Sequence, residues 1–256
     1  MRTLSTLALA ALVAAPAAAQ QTRFTREMAA GDKLELANIN GAVTVRAATG
    51  RTAEIVVTKD VKSGDGNLVK AIMEEERGVV RVCTIYLTKD PNRSTCEGDN
   101  SIPYRRGEKN SFQVTMTYEV RLPEGVQLEA ATVNGNVSVN GATAESEVAT
   151  VNGDILFDGA SASELSTVNG TITANLTKAL RGDLEISTVN GNIQLAIPGS
   201  ADADLSGDTV NGKIDSAIPV TIEGKWGPKS FTGRLGRGGP DIEMATVNGN
   251  IVIKKL

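Results

Sequence analysis

Carboxylates are the first side chains to consider for chemistry, because the 256-residue sequence contains no histidine. General acid–base catalysis on a glycosidic bond needs two such groups converging on one site. Asp202, Asp204 and Asp208 are close together in the sequence, but the surrounding residues predict a polar loop. We therefore expect no catalytic residue and predict that the protein is not an enzyme. A carbohydrate-active enzyme built on a repetitive scaffold stays open as the alternative.

Metal and cofactor sites have no better support in the sequence. Structural zinc sites usually take four Cys or His ligands, and the chain has two cysteines. Calcium-binding repeats supply an aspartate at a fixed offset in every copy. The residue after the repeated glycine described below varies instead, being Asn136, Asp154, Thr171, Asn192, Lys213 and Asn250 in turn. No acidic row is expected at that position, and neither a metal nor a cofactor is expected.

The two cysteines, Cys83 and Cys96, are predicted to form a disulfide. The 12 residues between them include the turn-forming stretch 90–93, which lies in a polar, irregular segment at 90–109. Closing this loop would contribute about 3 kcal/mol by restricting the unfolded chain. A disulfide also fits an oxidising compartment.

One glycine-rich segment offers a candidate contact surface formed by Trp226, Arg234 and Arg237. It resembles neither a phosphate loop nor a dinucleotide fingerprint, because no strand–glycine–helix context surrounds it. The segment can be a purely structural excursion, or its ring and guanidinium groups can bind a partner. The sequence leaves both interpretations open.

The elements that must position these residues are set by a repeat, Thr-Val-Asn-Gly followed by one residue and Ile or Val. A fainter copy lies at 38–43. The asparagines of all seven copies are Asn40, Asn134, Asn152, Asn169, Asn190, Asn211 and Asn248. From Asn134 onward the steps are 18, 17, 21, 21 and 37 residues, the spacing of a small structural unit. The last step is about two periods long and predicts that one copy has lost its signature.

Apolar residues alternate on both sides of each Asn-Gly. Leu184 and Ile186 precede Asn190, and Ile193 and Leu195 follow it. Each copy is therefore predicted to be two short strands joined at Asn-Gly. Asparagine and glycine tolerate positive φ, which is the reason we infer for their use at this turn.

Two all-β architectures fit this pattern. In an antiparallel β-meander each Asn-Gly is a hairpin turn. In a β-solenoid each Asn-Gly is a corner, and successive corners stack about 4.8 Å apart. A hairpin requires only Asn-Gly, whereas stacking explains why Thr and Val also recur, since stacked amides and hydroxyls can form ladders. We favour the solenoid, with a ladder of the seven asparagines and a packed row of threonines. Lys254 and Lys255 would then protect the edge of a final strand at 251–256.

These features together resemble the DUF4097 family of bacterial envelope proteins with β-strand repeats. The matching features are the apolar N-terminus, the early Asn38-Ile39-Asn40-Gly41, the Leu122-Pro123 step into the repeats, the Thr-Val-Asn-Gly series and the glycine-rich segment before the copy at Asn248. The resemblance implies a β-solenoid of the cell envelope, grouped with adhesins, without established chemistry. It supplies no catalytic residue.

The first 19 residues are predicted to be a signal peptide. Arg2, an apolar run at 4–13 and an Ala-x-Ala site ending at Ala19 provide the expected parts. The run is too short to span a bilayer, and no other segment is apolar enough to do so. We expect residues 20–125 to form an N-terminal β-rich part with the disulfide-closed loop. Residues 126–256 would form the repeat solenoid, continuous with that part.

Charge and composition restrict the choice of partner. The net charge of −4 becomes −5 once Arg2 is removed, and no basic cluster indicates nucleic acid. Aromatic residues make up 3% of the chain, too few for a sugar groove built on stacked rings. We predict a non-enzymatic, exported protein of the periplasm or exterior, whose adhesin-like, scaffolding or sensing surface binds an envelope or surface protein or glycan.

Overall fold

The computed structural model describes residues 20–87, 95–96, 113–224 and 227–256. Within these residues the protein is all-β apart from one short 3₁₀ turn at Gly66–Leu68. The strands are β1 Gln20–Glu27, β2 Lys33–Ala37, β3 Val43–Ala47, β4 Thr52–Ser63, β5 Val69–Glu76, β6 Val79–Tyr86, β7 Gln113–Leu122, β8 Gln127–Asn134, β9 Val137–Ala142, β10 Ser146–Asn152, β11 Ile155–Gly159, β12 Glu164–Asn169, β13 Ile172–Leu176, β14 Leu184–Asn190, β15 Ile193–Ile197, β16 Ala203–Asn211, β17 Ile214–Ser216, β18 Val220–Glu223, β19 Lys229–Leu235, β20 Asp241–Asn248 and β21 Ile251–Lys255.

The strands form two sheets that face each other across one core. Sheet A has the order β1-β4-β7-β3-β9-β11-β13-β15-β21-β17, and sheet B has the order β18-β19-β16-β20-β14-β12-β10-β8-β2-β6-β5. Each coil is one strand of sheet B, an Asn-Gly corner and one strand of sheet A. Successive coils pair in parallel, as β10 pairs with β12 and β11 with β13. The predicted β-solenoid is confirmed, and the hairpin meander is wrong.

Alternating side chains fill the space between the sheets, as the period of two predicts. In β14 the side chains of Leu184, Ile186 and Thr188 are buried, whereas those of Glu185 and Val189 are exposed. The same alternation recurs in every coil, so leucine, isoleucine, valine and threonine of both sheets make one continuous core. Burial of this apolar stripe is the main favourable term for the fold.

Strands that precede the repeats, within residues 20–122, extend both sheets at one end. β2 and β3 form a coil of their own, and they pair directly with β8 and β9. Sheet A continues through β7, β4 and β1, and sheet B continues through β6 and β5. The outermost pairs at this end, β1 with β4 and β5 with β6, are antiparallel. The N-terminal strands therefore cover the end of the parallel stack.

The coil of β20 and β21 is out of sequence order in the stack. β20 lies between β14 and β16, and β21 lies between β15 and β17. The expectation that residues 251–256 form the last strand of the sheet is therefore wrong. β17 pairs only with Ile251, Val252 and Ile253 of β21, so the edge role of Lys254 and Lys255 stays a prediction. The coils share the same signature, so backbone pairing alone does not force neighbours in sequence to be neighbours in space.

The 37-residue step before Asn248 contains a hairpin and no degenerate coil, so that prediction is also wrong. β18 and β19 pair with each other, and β19 runs antiparallel to β16. This hairpin extends sheet B beyond the last coil. The following residues 236–240 then carry the chain back to β20. The extra length therefore allows the chain to return across β16.

Close approach between coils explains the repeated glycine. A Cβ on any of the six glycines would lie well inside 3.0 Å, a distance that real Cβ atoms essentially never show, from a glycine carbonyl oxygen in the neighbouring coil; the glycines are Gly135, Gly153, Gly170, Gly191, Gly212 and Gly249. None of the six has a positive φ, and neither does any repeat asparagine. The expectation of positive φ at this turn is wrong, and glycine is required because no side chain fits.

The repeated threonine bonds to the same carbonyl groups. Its side chain is buried, and its Oγ1 donates to the glycine carbonyl of the neighbouring coil at 2.8–3.2 Å; the pairs are Thr132–Gly41, Thr150–Gly135, Thr167–Gly153, Thr188–Gly170, Thr246–Gly191 and Thr209–Gly249. At the last corner, where no further coil follows, Lys229 Nζ donates to the Gly212 carbonyl at 2.8 Å. Each of these corner carbonyls thus accepts a hydrogen bond from a side chain of the neighbouring strands.

We predict that Gly170→Ala strongly destabilises the protein, because its Cβ would meet the Gly153 carbonyl. The loss should be about 3 kcal/mol or more in the free energy of unfolding, measured by urea denaturation. Gly182→Ala is the matched control, since no atom lies within 4 Å of the added Cβ. It should change stability by about 0.5 kcal/mol or less. Equal losses in the two variants would contradict the close-approach explanation.

Candidate functional site

The asparagine side chains form a continuous row along the corner of the solenoid. In each step the amide Nδ2 of one asparagine donates to the Oδ1 of the asparagine before it in the stack, at 2.8–2.9 Å; the order of the stack is Asn40, Asn134, Asn152, Asn169, Asn190, Asn248 and Asn211. The order follows the stack and not the sequence. These hydrogen bonds fix the coils relative to one another, because each amide is held by its neighbours.

The asparagine row begins at a buried polar cluster in the N-terminal strands. Asn40 Nδ2 donates to the Tyr86 hydroxyl at 3.3 Å. Behind it, Thr84 Oγ1 donates to Asn38 Oδ1 at 3.0 Å and lies 2.7 Å from the Tyr118 hydroxyl. Burial raises the pKa of Tyr118 well above its ordinary range. The phenol therefore stays neutral, and the cluster joins sheet A to sheet B as a structural element.

The outer face of sheet B carries a row of exposed valines beside the asparagine row. Their side chains are 37–41% exposed; they are Val133, Val151, Val168, Val189, Val247 and Val210. Parallel pairing places them one above another, because the flanking Thr and Asn residues are paired in register. We call this set the valine row. It is an apolar stripe on the surface of an otherwise polar corner.

Two further rows complete this outer face, which we call face B. Small residues lie two positions before each valine in five coils; they are Ala131, Ala149, Ser166, Ser187 and Ala245. Glutamates lie two positions before those, at Glu129, Glu147, Glu164, Glu185 and Glu243. Glu35 occupies the same place on β2, and each glutamate pairs in register with the next. Face B is therefore a trough of small residues between an aliphatic row and an acidic row.

The glutamate row is a feature that sequence reasoning missed. The search for an acidic row tested the residue after each glycine, which varies. The signal lay five residues before each asparagine, where glutamate occurs in six of the seven copies and Ser206 occurs in the seventh. Comparing the residues before each asparagine, on the sheet B strand, would have revealed the glutamate row.

Like charges interact along the glutamate row. Burial raises the pKa of Glu147 above its ordinary value of 4.5, and the neighbouring carboxylates of Glu129 and Glu164 raise it further. Lys33 lowers the Glu147 pKa slightly, and Glu145 raises it. At one end of the row, Lys33 forms ion pairs with Glu129 and with Glu35. The pKa of Lys33 is raised in turn, chiefly by its hydrogen bond to Glu129.

The opposite surface, the outer face of sheet A, has a shallow cavity of about 340 Å³ near the N-terminal end. Side chains from β1, β3, β4 and β7 line it. Arg23, Arg46 and Arg121 provide three guanidinium groups, and Glu54 and Glu119 provide two carboxylates. We call it the arginine cleft. Glu54 forms ion pairs with Arg23 and Arg121.

The residues proposed as a contact surface are placed differently from one another. Trp226 lies outside the described residues. Arg234 Nε donates to Asp204 at 2.7 Å, and the Arg237 guanidinium donates to Asp202 at 2.7 Å. Both arginines hold the crossover that leads to β20, although their side chains stay largely exposed. Their role as a contact surface stays a prediction.

These ion pairs also explain the titration of the two aspartates, which the sequence had offered as carboxylates for catalysis. The backbone N–H and then the guanidinium of Arg237 hold the pKa of Asp202 below its ordinary value. The guanidinium of Arg234, followed by the Gly239 N–H, does the same for Asp204. Both groups are therefore stable carboxylates that fix a loop.

Cys83 and Cys96 form the predicted disulfide, with 5.6 Å between their Cα atoms. Cys83 is buried in β6, next to the polar cluster that begins the asparagine row. Most of the predicted irregular segment 90–109, including Tyr104, lies outside the described residues. The bridge fixes Cys96 to the end of sheet B that the N-terminal strands provide.

The protein is a two-sheet parallel stack with a repeated Thr-Val-Asn-Gly corner. The sequence profile of one protein family spans this whole stack. The profile of Toastrack DUF4097 matches residues 32–254. The chain belongs to the Toastrack DUF4097 family. The resemblance drawn from the sequence is thus confirmed, and the match covers every coil of the Toastrack solenoid.

Solved structures similar to this Toastrack protein include a proposed cell adhesion protein from Clostridium sporogenes. It has a TM-score of 0.46 and 8% identity, over 93% of this chain and 100% of that one. A proposed adhesin from Bacteroides fragilis has a TM-score of 0.35 and 14% identity, over 93% and 97% of the two chains. No curated protein matches the sequence.

No helix in the described residues is long and apolar enough to cross a membrane. No group of three or more Cys, Asp or Glu side chains in the same residues is arranged to hold a metal ion. The described surface has two candidate contact regions of different character, the trough of face B and the arginine cleft.

We predict that Glu147→Gln raises the melting temperature at pH 7 more than at pH 4. A carboxyl with a raised pKa binds its proton more tightly in the folded chain than in the unfolded chain. Ionisation therefore reduces stability as the pH rises past 4.5, and this loss is absent below that value. Thermal unfolding at both pH values measures the difference. Added salt should reduce it by screening, and an equal gain at both pH values would contradict repulsion along the row.

Proposed function

We propose that this Toastrack protein is a non-enzymatic, exported envelope protein whose face B is an adhesin-like binding surface. The observation that carries the proposal is the valine row. Monomeric soluble proteins rarely expose contiguous apolar patches larger than roughly a few hundred Å² unless these are contact sites, and the six aligned valines make one extended stripe. A partner with an extended apolar edge would cover these valines and exclude water from the trough beside them.

The other three residues of the repeat have internal roles, and valine does not. Threonine is buried and bonds to a corner carbonyl, asparagine bonds to asparagine, and glycine permits close approach. Strand propensity is the competing explanation for valine. However, Ala149 and Ser166 occupy the next outward position on the same strands without any preference for β-branched residues. Propensity therefore does not govern which residues this face carries.

The asparagine and threonine hydrogen bonds make face B rigid. Coils about 4.8 Å apart place the six valines along about 24 Å of surface. Binding to a preformed surface avoids much of the entropic cost of ordering side chains and loops. A flat, ordered face of this length suits a large, repetitive partner such as an envelope protein or glycan.

Export is supported by the N-terminal sequence and by the disulfide, because structural disulfides persist outside the reducing cytosol. The glutamates on face B lie in a row, and the ion-paired Asp202 and Asp204 lie at the start of β16, where they bond to the crossover. They do not converge in pairs on a cleft as hydrolysis requires. These features favour binding over turnover.

The binding proposal predicts that Val151→Thr/Val168→Thr/Val189→Thr loses attachment to envelope material. Threonine keeps the β-branched shape and removes apolar surface, so the fold should persist with a change of about 0.5 kcal/mol or less per site. The measurement is co-sedimentation of purified protein with isolated peptidoglycan sacculi and with outer-membrane vesicles. Retention on at least one material should fall roughly tenfold, equivalent to about 1.4 kcal/mol.

The matched control replaces three aliphatic residues of similar exposure elsewhere, Val61→Thr/Leu156→Thr/Ile222→Thr. It should bind as the unmodified protein does. Equal binding by both triple variants would contradict a role for face B, and so would failure of the unmodified protein to bind either material. Release of soluble sugar from the sacculi would contradict the non-enzymatic assignment.

The export proposal predicts that the protein recovered from the periplasm or medium begins at Gln20. Cleavage after Ala19 satisfies the small-residue rule of signal peptidase, and β1 begins at the next residue. Intact mass spectrometry of the protein expressed with its own N-terminus measures this directly. Protein that retains Met1 in the cytoplasmic fraction would contradict export.

A further inference from the structure

The arginine cleft holds three guanidinium groups, of which two form ion pairs with Glu54 and the third, that of Arg46, does not. It lies on the outer face of sheet A, opposite to face B, so it is independent of the proposed attachment surface. Thr44 and Val56 form part of its lining, between longer charged side chains. The cavity of about 340 Å³ is at the lower end of the range of small-molecule sites, about 300–1,000 Å³. It is large enough for one or two sugar rings.

Strand register brings two of the arginines together. Arg46 on β3 is paired in register with Arg121 on β7, and Glu54 on β4 is paired with the same Arg121. Like charges on directly opposite residues are destabilising. Glu54 offsets this for Arg121, with 3.7 Å between Arg121 Nε and Glu54 Oε2, and it also pairs with Arg23.

Arg46 has no such compensation. Within the described part of the chain, no carboxylate lies within ion-pair distance of its guanidinium. On its other side the register partner is Asn140 on β9, which is neutral. The protein as a whole is acidic, with a net charge of −4. The excess positive charge at Arg46 and Arg121 is therefore local to the cleft, because the protein as a whole is negatively charged.

The donor and acceptor set of the cleft fits a ligand with one oxyanion and several hydroxyl groups. Guanidinium groups bind carboxylates through two parallel N–H donors. Carboxylates accept hydrogen bonds from hydroxyl groups, and Glu119 can do so beside the arginines. A free phosphate dianion would face the negative charges of Glu54 and Glu119. An acidic sugar offers the single carboxylate and the surrounding hydroxyls that match this lining.

We propose that the arginine cleft binds a carboxylate-bearing sugar unit of an acidic polysaccharide, with Arg46 and Arg121 holding the carboxylate. No aromatic residue lines the cleft, so recognition is polar and does not use stacking on a ring. The low aromatic content that argued against a ring-stacking groove therefore does not argue against this site. The proposal goes beyond attachment through face B, because it assigns a second site and a ligand class.

The test is isothermal titration of the full mature chain with trigalacturonate, with its methyl ester and with inorganic phosphate, at about 150 mM salt to screen non-specific attraction. The unmodified protein should bind trigalacturonate at least about tenfold more tightly than the methyl ester, the factor expected for a charge-assisted hydrogen bond. Absence of binding, or equal binding of the ester, would overturn the proposal. Tighter binding of phosphate would show a simple anion site and would overturn the sugar assignment.

Two substitutions with the same change in net charge localise the effect. Arg46→Gln should weaken trigalacturonate binding about tenfold or more, whereas Arg77→Gln, an arginine with a 91% exposed side chain outside the cleft, should leave it unchanged. Arg46→Lys should be intermediate, because it keeps the charge and loses the bidentate geometry. Equal effects at both positions would show that long-range charge is responsible and would overturn the site.

The triple valine variant separates this site from the proposed function. It should bind trigalacturonate as the unmodified protein does, because face B lies on the other sheet. A failure of envelope attachment through the valine row leaves this measurement unaffected. A failure of sugar binding likewise leaves the co-sedimentation result unaffected.

Discussion

The approach of one Asn-Gly corner to the next is the constraint on which the structure depends. At each of the six Thr-Val-Asn-Gly corners the glycine lies against the carbonyl of the glycine in the neighbouring coil, too close for any side chain. That carbonyl then accepts the hydroxyl of a buried threonine, and the adjacent asparagine amide bonds to its counterpart. The three residues depend on one another. Glycine permits the close approach, and the threonine hydroxyl and the asparagine amide then pair the polar groups that this approach removes from water. The corner sets the register for both sheets, and every exposed row inherits that register.

Sequence reasoning predicted the solenoid because the offsets of the repeat carry the pairing information. Threonine, asparagine and glycine recur together, and stacking explains all three. The physical role of the glycine was misjudged, since Asn-Gly is usually read as a positive-φ turn and here the limit is contact between coils. Local sequence describes a turn well, but it does not show which backbone atom of another coil will lie against that turn.

Two other features were beyond the repeat signature. The position of β20 and β21 inside the stack could not be predicted, because identical corners pair equally well with any other corner. The glutamate row is visible in the sequence five residues before the asparagine in six of the seven copies. It lies outside the Thr-Val-Asn-Gly signature, so the signature alone does not predict it. The arginine cleft depends on the pairing of β7 with β3 and with β4, and β7 is distant from both in sequence and lacks the repeat. Arg46 and Arg121 become neighbours only through that pairing.

The placement of the coil formed by β20 and β21 has a consequence for how the molecule is assembled. A chain that folds as it emerges can add coils one by one as far as β15. The segment that comes next cannot dock against β15 in its final position, because a layer that is synthesised later must occupy that space. β16 and β17 can therefore take their final positions only after β20 and β21 have docked, or they must move when β20 and β21 dock. A destabilising mutation in β20 or β21 would disrupt the middle of the stack and leave β16 and β17 without the parallel strands they pair with. The last coil of the sequence therefore holds together the coils on either side of it.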